Sequence, residues 1–201
     1  LLMPTGFGKS LCYQFPASLA QGNELVLVIS PLIALMQDQV SQLRRQSVAI
    51  HATFINSSLS TEERQQRYEQ IRQGRFQLLF VTPERFRKKE FRQALENRKI
   101  ILFAVDEAHC VSQWGHDFRT EYSRLDQHIQ SLGNPVVLAL TATATVETQS
   151  DILQQLGIPD AKVFSQGVER PNLALRVHSV HGWDEKVRAL VGLRFQNPGS
   201  G

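Results

Sequence analysis

At 201 residues, 42% hydrophobic and 20% charged, the chain has the makeup of one globular domain able to bury a substantial core, with no second domain required. A net charge of +3 at pH 7 permits a nucleic-acid or phosphate partner without demanding one. Two cysteines, Cys12 and Cys110, stand outside any Cys-x-x-Cys pair, which argues against a zinc site or a disulfide framework and for reduced thiols.

In chain order, Leu1-Leu2 read as the end of a strand already under way, because a phosphate-binding loop ordinarily follows a strand. The chain is therefore expected to be clipped at its start and to be a piece of a larger protein. The loop itself is Met3-Pro4-Thr5-Gly6-Phe7-Gly8-Lys9-Ser10. Gly6 and Gly8 let the backbone turn tightly enough for successive N–H groups to face one set of phosphate oxygens at a helix N-terminus. Lys9 then supplies a point charge to the β and γ phosphates, and Ser10 a ligand for the Mg²⁺ bridging them. Thr5 to Ser10 are thus the expected nucleotide-binding residues. The usual pattern opens with Gly where Met3 stands, so by itself the run could be a glycine-rich turn capping a helix.

Downstream, short apolar runs alternate with longer amphipathic ones, the pattern of repeated βα units and a parallel sheet. Strands are expected over 25–30, 48–53, 78–82, 100–106 and 136–141, and helices over 9–19, 32–45, 61–72, 88–97, 121–131 and 146–156. Ser60 and Glu63 form a capping box for the third helix, while Gly157 and Pro159 stop the sixth. The most apolar stretch, Leu25 to Met36, is broken by Ser30-Pro31 and too short to span a bilayer. With no charged-then-apolar leader ahead of it, an intracellular protein is expected: cytoplasm or nucleoid if bacterial, nucleus if eukaryotic. Charges crowd between Arg85 and Lys99, and the part from Lys88 to Lys99 reads as a solvated helix face.

The run Ile100 to Val105 is continuously apolar, as in a strand buried on both faces, and it delivers Asp106-Glu107 at its C-terminal end. Open α/β sheets bind ligands there. Asp106 is placed to hold the metal and Glu107 to orient and deprotonate the water that attacks the γ-phosphate. With the upstream loop, this pair names ATP as the substrate. Directly after it, Ser112-Gln113-Trp114-Gly115-His116-Asp117-Phe118-Arg119 concentrates aromatic and guanidinium faces able to stack on unpaired bases without reading sequence. Beyond Ala161 two short strands, near 161–164 and 173–177, and a final helix over 184–193 are expected, ending in the linker-like 197–201.

Several long motifs in order resemble the RecQ family of ATP-dependent DNA helicases, in superfamily 2. Met3 through Gln14 looks like motif I and Val28 through Met36 like motif Ia. Val81-Thr82-Pro83-Glu84-Arg85 is similar to motif Ib and Asp106-Glu107-Ala108-His109 to motif II. Cys110 through Arg119 matches the aromatic-rich loop, Leu140-Thr141-Ala142-Thr143-Ala144 motif III, and Glu169-Arg170-Pro171-Asn172 a segment near the end of the first lobe. The resemblance implies an α/β RecA-like lobe over 1–178, with a mainly parallel sheet flanked by helices, and an inter-lobe helix and linker over 179–201. It implies ATP and Mg²⁺ as cofactors, single-stranded and forked DNA as partners, and 3′ to 5′ unwinding in recombination and repair. Lys9, Asp106 and Glu107 would be catalytic, with Ser10 and Asp106 on the metal. Thr82 and Arg85 would grip the DNA backbone; Trp114, His116, Phe118 and Arg119 would sense single strands; His109, Thr141 and Thr143 would couple nucleotide state to DNA.

Phe7 departs from the family's usual Gly and adds bulk beside the phosphates, and Thr120 replaces a frequent Pro. Nothing resembles the second RecA-like lobe, which normally brings the arginine fingers, so the lobe alone is expected to be nearly inert. An RNA helicase of the same superfamily, or a nucleotide-dependent DNA clamp impaired in hydrolysis by Phe7, are the alternatives.

Overall fold

The computed structural model describes residues 1–45, 50–112, 120–165 and 177–196, the last four without their side chains. The chain forms two compact units, 1–168 and 169–201. In the first, strands β1 (Glu24–Ile29), β2 (Ala52–Ile55), β3 (Leu78–Val81), β4 (Lys99–Val105) and β5 (Val136–Ala139) make one sheet in the order β2-β3-β1-β4-β5. Every pairing is parallel, so the crossovers are carried by helices. These are α1 (Leu11–Leu19), α2 (Ile33–Arg45), α3 (Thr61–Arg72), α4 (Lys89–Leu95), α5 (Leu125–Ser131) and α6 (Val146–Gln155). The second unit contributes α7, Trp183–Gln196.

Strand alternation sorts the core into two layers. On one face Val26, Val28, Leu78, Phe80, Leu102 and Ala104 pack with Tyr13 and Ala17 of α1 and Met36, Val40 and Leu43 of α2. On the other, Leu25, Leu27, Ile29, Leu79, Val81, Phe103 and Val105 meet α3, α4, α5 and α6 through Ile71, Phe91, Ile129 and Ile152. Burial on both faces is why β1, β3 and β4 are almost uninterrupted apolar runs.

The five expected strands and six expected helices of this unit are present, with local shifts. The capping box holds α3 as expected: Glu63 N–H donates to Ser60 Oγ at 3.1 Å, and Ser60 N–H to Glu63 Oε2 at 2.9 Å. The helix expected over 121–131 opens as a 3₁₀ turn, Thr120–Arg124, before α5. Two further 3₁₀ turns, Pro83–Arg87 and Ala108–Val111, follow β3 and β4 where tight turns are needed to leave the sheet. No strand forms at 161–164; among the described residues Ser165 makes an isolated parallel bridge to Leu2. The strand expected over 173–177 falls mostly outside the described residues, as does the beginning of the one expected over 48–53.

The charged residues from Lys88 to Lys99 are exposed, as the solvated-face reading expects, with one exception. Arg98 is buried and donates to four carbonyl oxygens, those of Asn23 at 3.0 Å, Ile71 at 3.0 Å, Glu24 at 2.7 Å and Phe76 at 2.7 Å. The turn into β4 dips beneath the sheet end, and a guanidinium's five donors suit the orphan carbonyls gathered there.

Candidate active site

The C-terminal strand ends are drawn together by the backbone. Asp106 N–H donates to Ile29 O at 2.8 Å, Ser30 N–H to Val81 O at 3.1 Å, Leu140 N–H to Val105 O at 2.8 Å, and Met3 N–H to Thr141 O at 3.1 Å. Leu2 bridges Thr141 in parallel, so the segment entering the phosphate loop runs beside β5. The loop, the acidic pair and Thr141 therefore share one edge.

Gly6 and Gly8 adopt φ of +88° and +82°, where a side chain would be strained. A Cβ added at Gly6 would meet nothing within 4 Å, so the backbone stands open on that side. Among the described residues the amides of Gly6, Gly8, Lys9 and Ser10 donate to no carbonyl, and helical bonding begins with Leu11 N–H to Gly8 O at 2.9 Å. Such a row of uncommitted amides before a helix is an anion nest. Lys9 Nζ lies over the loop, donating to Met3 O at 3.0 Å. The Ser10 side chain makes no capping bond to α1, leaving its hydroxyl available as a ligand. Phe7, in the middle of the loop, is 52% exposed.

Asp106 is buried, and its Oδ1 accepts from Glu107 N–H at 3.0 Å. Burial, reinforced by the Glu107 charge, pushes its carboxyl up to about 6, against the opposing pull of the Glu107 amide and the Lys9 ammonium. A buried carboxylate beside a second carboxylate is a site that a divalent cation would satisfy. Glu107 holds a left-handed backbone, φ 49°, that turns the chain off β4. From it a polar relay leads away: His109 Nδ1 lies 3.4 Å from Glu107 Oε2 and 3.1 Å from Thr141 Oγ1. Thr141 Oγ1 in turn donates to Thr143 O at 3.1 Å, so the polar contacts run on from His109 to Thr143.

Residues 1–152 match the family model of the DEAD/DEAH box helicases. The chain belongs to that family. It is 44% identical over 200 residues to the probable ATP-dependent DNA helicase RecS of Bacillus subtilis, covering 98% of this chain and 39% of that protein. It is 46% identical over 173 residues to the ATP-dependent DNA helicase RecQ of Haemophilus influenzae, covering 86% of this chain and 27% of that protein. The chain thus spans well under half the length of these curated relatives. The resemblance to RecQ helicases read from the motifs is borne out. Among solved structures, the Pyrococcus furiosus Hef helicase domain aligns with a TM-score of 0.57 at 22% identity, over 78% of this chain and 32% of that one. The DUF1998 helicase MrfA bound to DNA aligns with a TM-score of 0.59 at 24% identity, over 79% and 22%. Both share the fold expected of a RecA-like lobe.

In this helicase domain Lys9, Ser10, Asp106, Glu107, His109, Thr141 and Thr143 gather at one edge. Thr82, buried at the end of β3, caps the Pro83–Arg87 turn and its hydroxyl bonds Glu84. Arg85 is buried in that turn, against the α3 side of the sheet. Trp114, His116, Phe118 and Arg119 lie outside the described residues, as does 169–172. Two contributors escaped the sequence reading. Tyr13 is buried in α1 near enough to Asp106 that the carboxylate's charge adds to burial in raising its phenol; it sits inside the quoted motif I run, the one signal available. Ser112 Oγ donates to Asp151 Oδ2 at 2.7 Å, tying the turn after the acidic box to α6, and no local pattern announces a pair 39 residues apart.

Proposed function

We propose that the chain is the nucleotide-binding first lobe of an ATP-dependent, 3′ to 5′ DNA helicase of the RecQ type, coupling hydrolysis to translocation on single-stranded DNA and to duplex unwinding in recombination and repair. The observation that carries this reading is the continuous path Glu107–His109–Thr141–Thr143, which begins at the carboxylate placed to activate water and leaves the phosphate loop along the sheet edge. ATP with Mg²⁺, when bound, supplies the transferable γ-phosphoryl group and neutralises its charge. The nest amides and Lys9 would hold its phosphates, the ammonium exchanging the Met3 carbonyl for phosphate oxygens. Ser10 and Asp106 would hold the metal. Glu107 would take the proton of the attacking water, and His109, whose Nδ1 lies beside both the carboxylate and Thr141 Oγ1, would relay its state to Thr141.

On this reading Thr82 and Arg85 serve the DNA backbone, and Trp114, His116, Phe118 and Arg119 the unpaired bases. Single-stranded and forked DNA are the nucleic-acid partners, and a second RecA-like lobe of the same polypeptide is the protein partner.

The test is ATP turnover by the full polypeptide alone, with single-stranded DNA and with single-stranded RNA. DNA is expected to stimulate turnover, Trp114→Ala to remove the stimulation, and Lys9→Ala to lower the rate by about 100-fold or more. Undiminished hydrolysis by Lys9→Ala would overturn the assignment of the loop, and equal stimulation by RNA would make this an RNA helicase.

A further inference from the structure

The acidic turn and the segment that runs from β5 into α6 meet at two places. The first is at the nucleotide edge, where Ala108 N–H donates to Leu140 O at 2.8 Å and His109 Nδ1 lies 3.1 Å from Thr141 Oγ1. The second is Ser112, which closes the Ala108–Val111 turn. Its N–H donates to His109 O at 3.3 Å and its Oγ to Asp151 Oδ2 at 2.7 Å. Ser112 is fully buried. A short hydrogen bond to a carboxylate made out of water is a strong one, and removing either partner leaves the other unsatisfied.

Between the two places α6 is a stiff arm. Thr145 caps it, with Thr148 N–H donating to Thr145 Oγ1 at 3.2 Å, and Gln149 Nε2 reaches back to Ala144 O at 3.0 Å. The cap thus follows directly on Thr143, where the polar contacts from Glu107 end. Asp151 stands about 9 Å further along the helix. Gln155, one turn on, donates to its Oδ1 at 3.4 Å, and its neighbour Ile152 is buried in the core beneath the sheet. Ser112 is also the residue from which the run Gln113–Arg119 departs. Whatever fixes Ser112 therefore fixes the start of that run.

We infer that Asp151 is a positioning residue that couples the nucleotide edge to the aromatic run, with α6 as the connecting arm. A shift of Thr141 and Thr143 moves the capped end of α6, and the bond from Ser112 to Asp151 carries that movement to the start of the run; packed helices and hydrogen bonds are the physical means of such coupling. The inference rests on the helicase reading above. It adds to that reading a residue outside every motif that carries the family resemblance.

The experiment uses the full polypeptide and a single-stranded oligothymidylate. Asp151→Ala removes the acceptor, whereas Asp151→Asn keeps one oxygen for the Ser112 hydroxyl. Coupling through this bond predicts that Asp151→Ala lowers the ratio of DNA-stimulated to basal ATP turnover by about 10-fold, while oligonucleotide affinity, read by fluorescence anisotropy, stays within about 2-fold. Asp151→Asn should restore most of the ratio. Ser112→Ala should lower the ratio as far as Asp151→Ala, and the double variant no further, as for two residues acting through one bond. A purely structural role lowers basal and stimulated turnover together and leaves the ratio unchanged, which overturns the inference. A loss of oligonucleotide affinity large enough to account for the lost stimulation overturns it as well. A wild type that DNA does not stimulate would sink the helicase reading instead. Hydrogen exchange then judges the anchor by itself: the amides of 108–112 should exchange faster in Asp151→Ala than in the wild type or Asp151→Asn, and equal exchange in all three overturns it.

Discussion

Asp106 concentrates the chemistry of the site in one side chain. Its identity as half of an acidic pair is written in the sequence, but its carboxyl rises to about 6 from an ordinary 3.8 because folding buries it, with the Glu107 charge adding to the rise. A carboxyl whose value is raised on folding stabilises the fold fully below its unfolded value, and that stabilisation is lost as pH climbs through its folded value. Without nucleotide or divalent cation, Asp106→Asn is therefore expected to be more stable than the wild type at pH 8, by about 2–3 kcal/mol. The difference should close as the pH falls from 6 towards 4. Thermal unfolding across that range checks it; a gap that widened on acidification would mean that Asp106 is stabilised as a carboxylate. Glu107 tells the same story from the backbone: its type is legible, its left-handed φ of 49° is not, because only the strand on one side and the 3₁₀ turn on the other impose it.

Among the elements, what reads locally is what acts locally. The α3 cap was visible as Ser60 and Glu63, since both partners of each bond lie within one turn. Arg98 was not visible, because its acceptors at 23, 24, 71 and 76 come from three separate segments and no periodicity reports them. The two make contrasting predictions. Ser60→Ala should cost about 1 kcal/mol, the worth of an exposed cap. Arg98→Met should cost about 3 kcal/mol or more, because it strands several buried carbonyls at once. Urea midpoints of the two variants measure the contrast, and an Arg98→Met loss no larger than that of Ser60→Ala would show that water satisfies those carbonyls. The failed strand at 161–164 has a similar origin: its apolar residues suit a strand, but among the described residues its pairing is limited to the contact with Leu2, a bond from Leu2 N–H to Phe164 O and an isolated bridge to Ser165.

At the scale of the whole molecule, the proposed reading gives the lobe a phosphate nest, a metal-holding carboxylate and a base, and looks to a second lobe for the charge that stabilises the transferring phosphoryl group from the far side. If a second lobe supplies arginine there, the 201-residue chain should retain nucleotide binding while turning over about 10³–10⁵-fold more slowly than the full polypeptide. Equilibrium nucleotide titration beside steady-state turnover tests this, and comparable rates for the two would place the missing charge within the lobe itself. The sequence by itself determined the parallel α/β architecture, the phosphate loop, the acidic strand end and the family, because periodicity and motif chemistry are properties of consecutive residues. Only the tertiary structure decided that Lys9 lies close enough to Asp106 for its charge to be felt there, that His109 reaches Thr141, that Arg98 is a buried clamp and that Arg85 faces a cavity. Each of these depends on strand order and burial, which are sums over residues far apart in the chain.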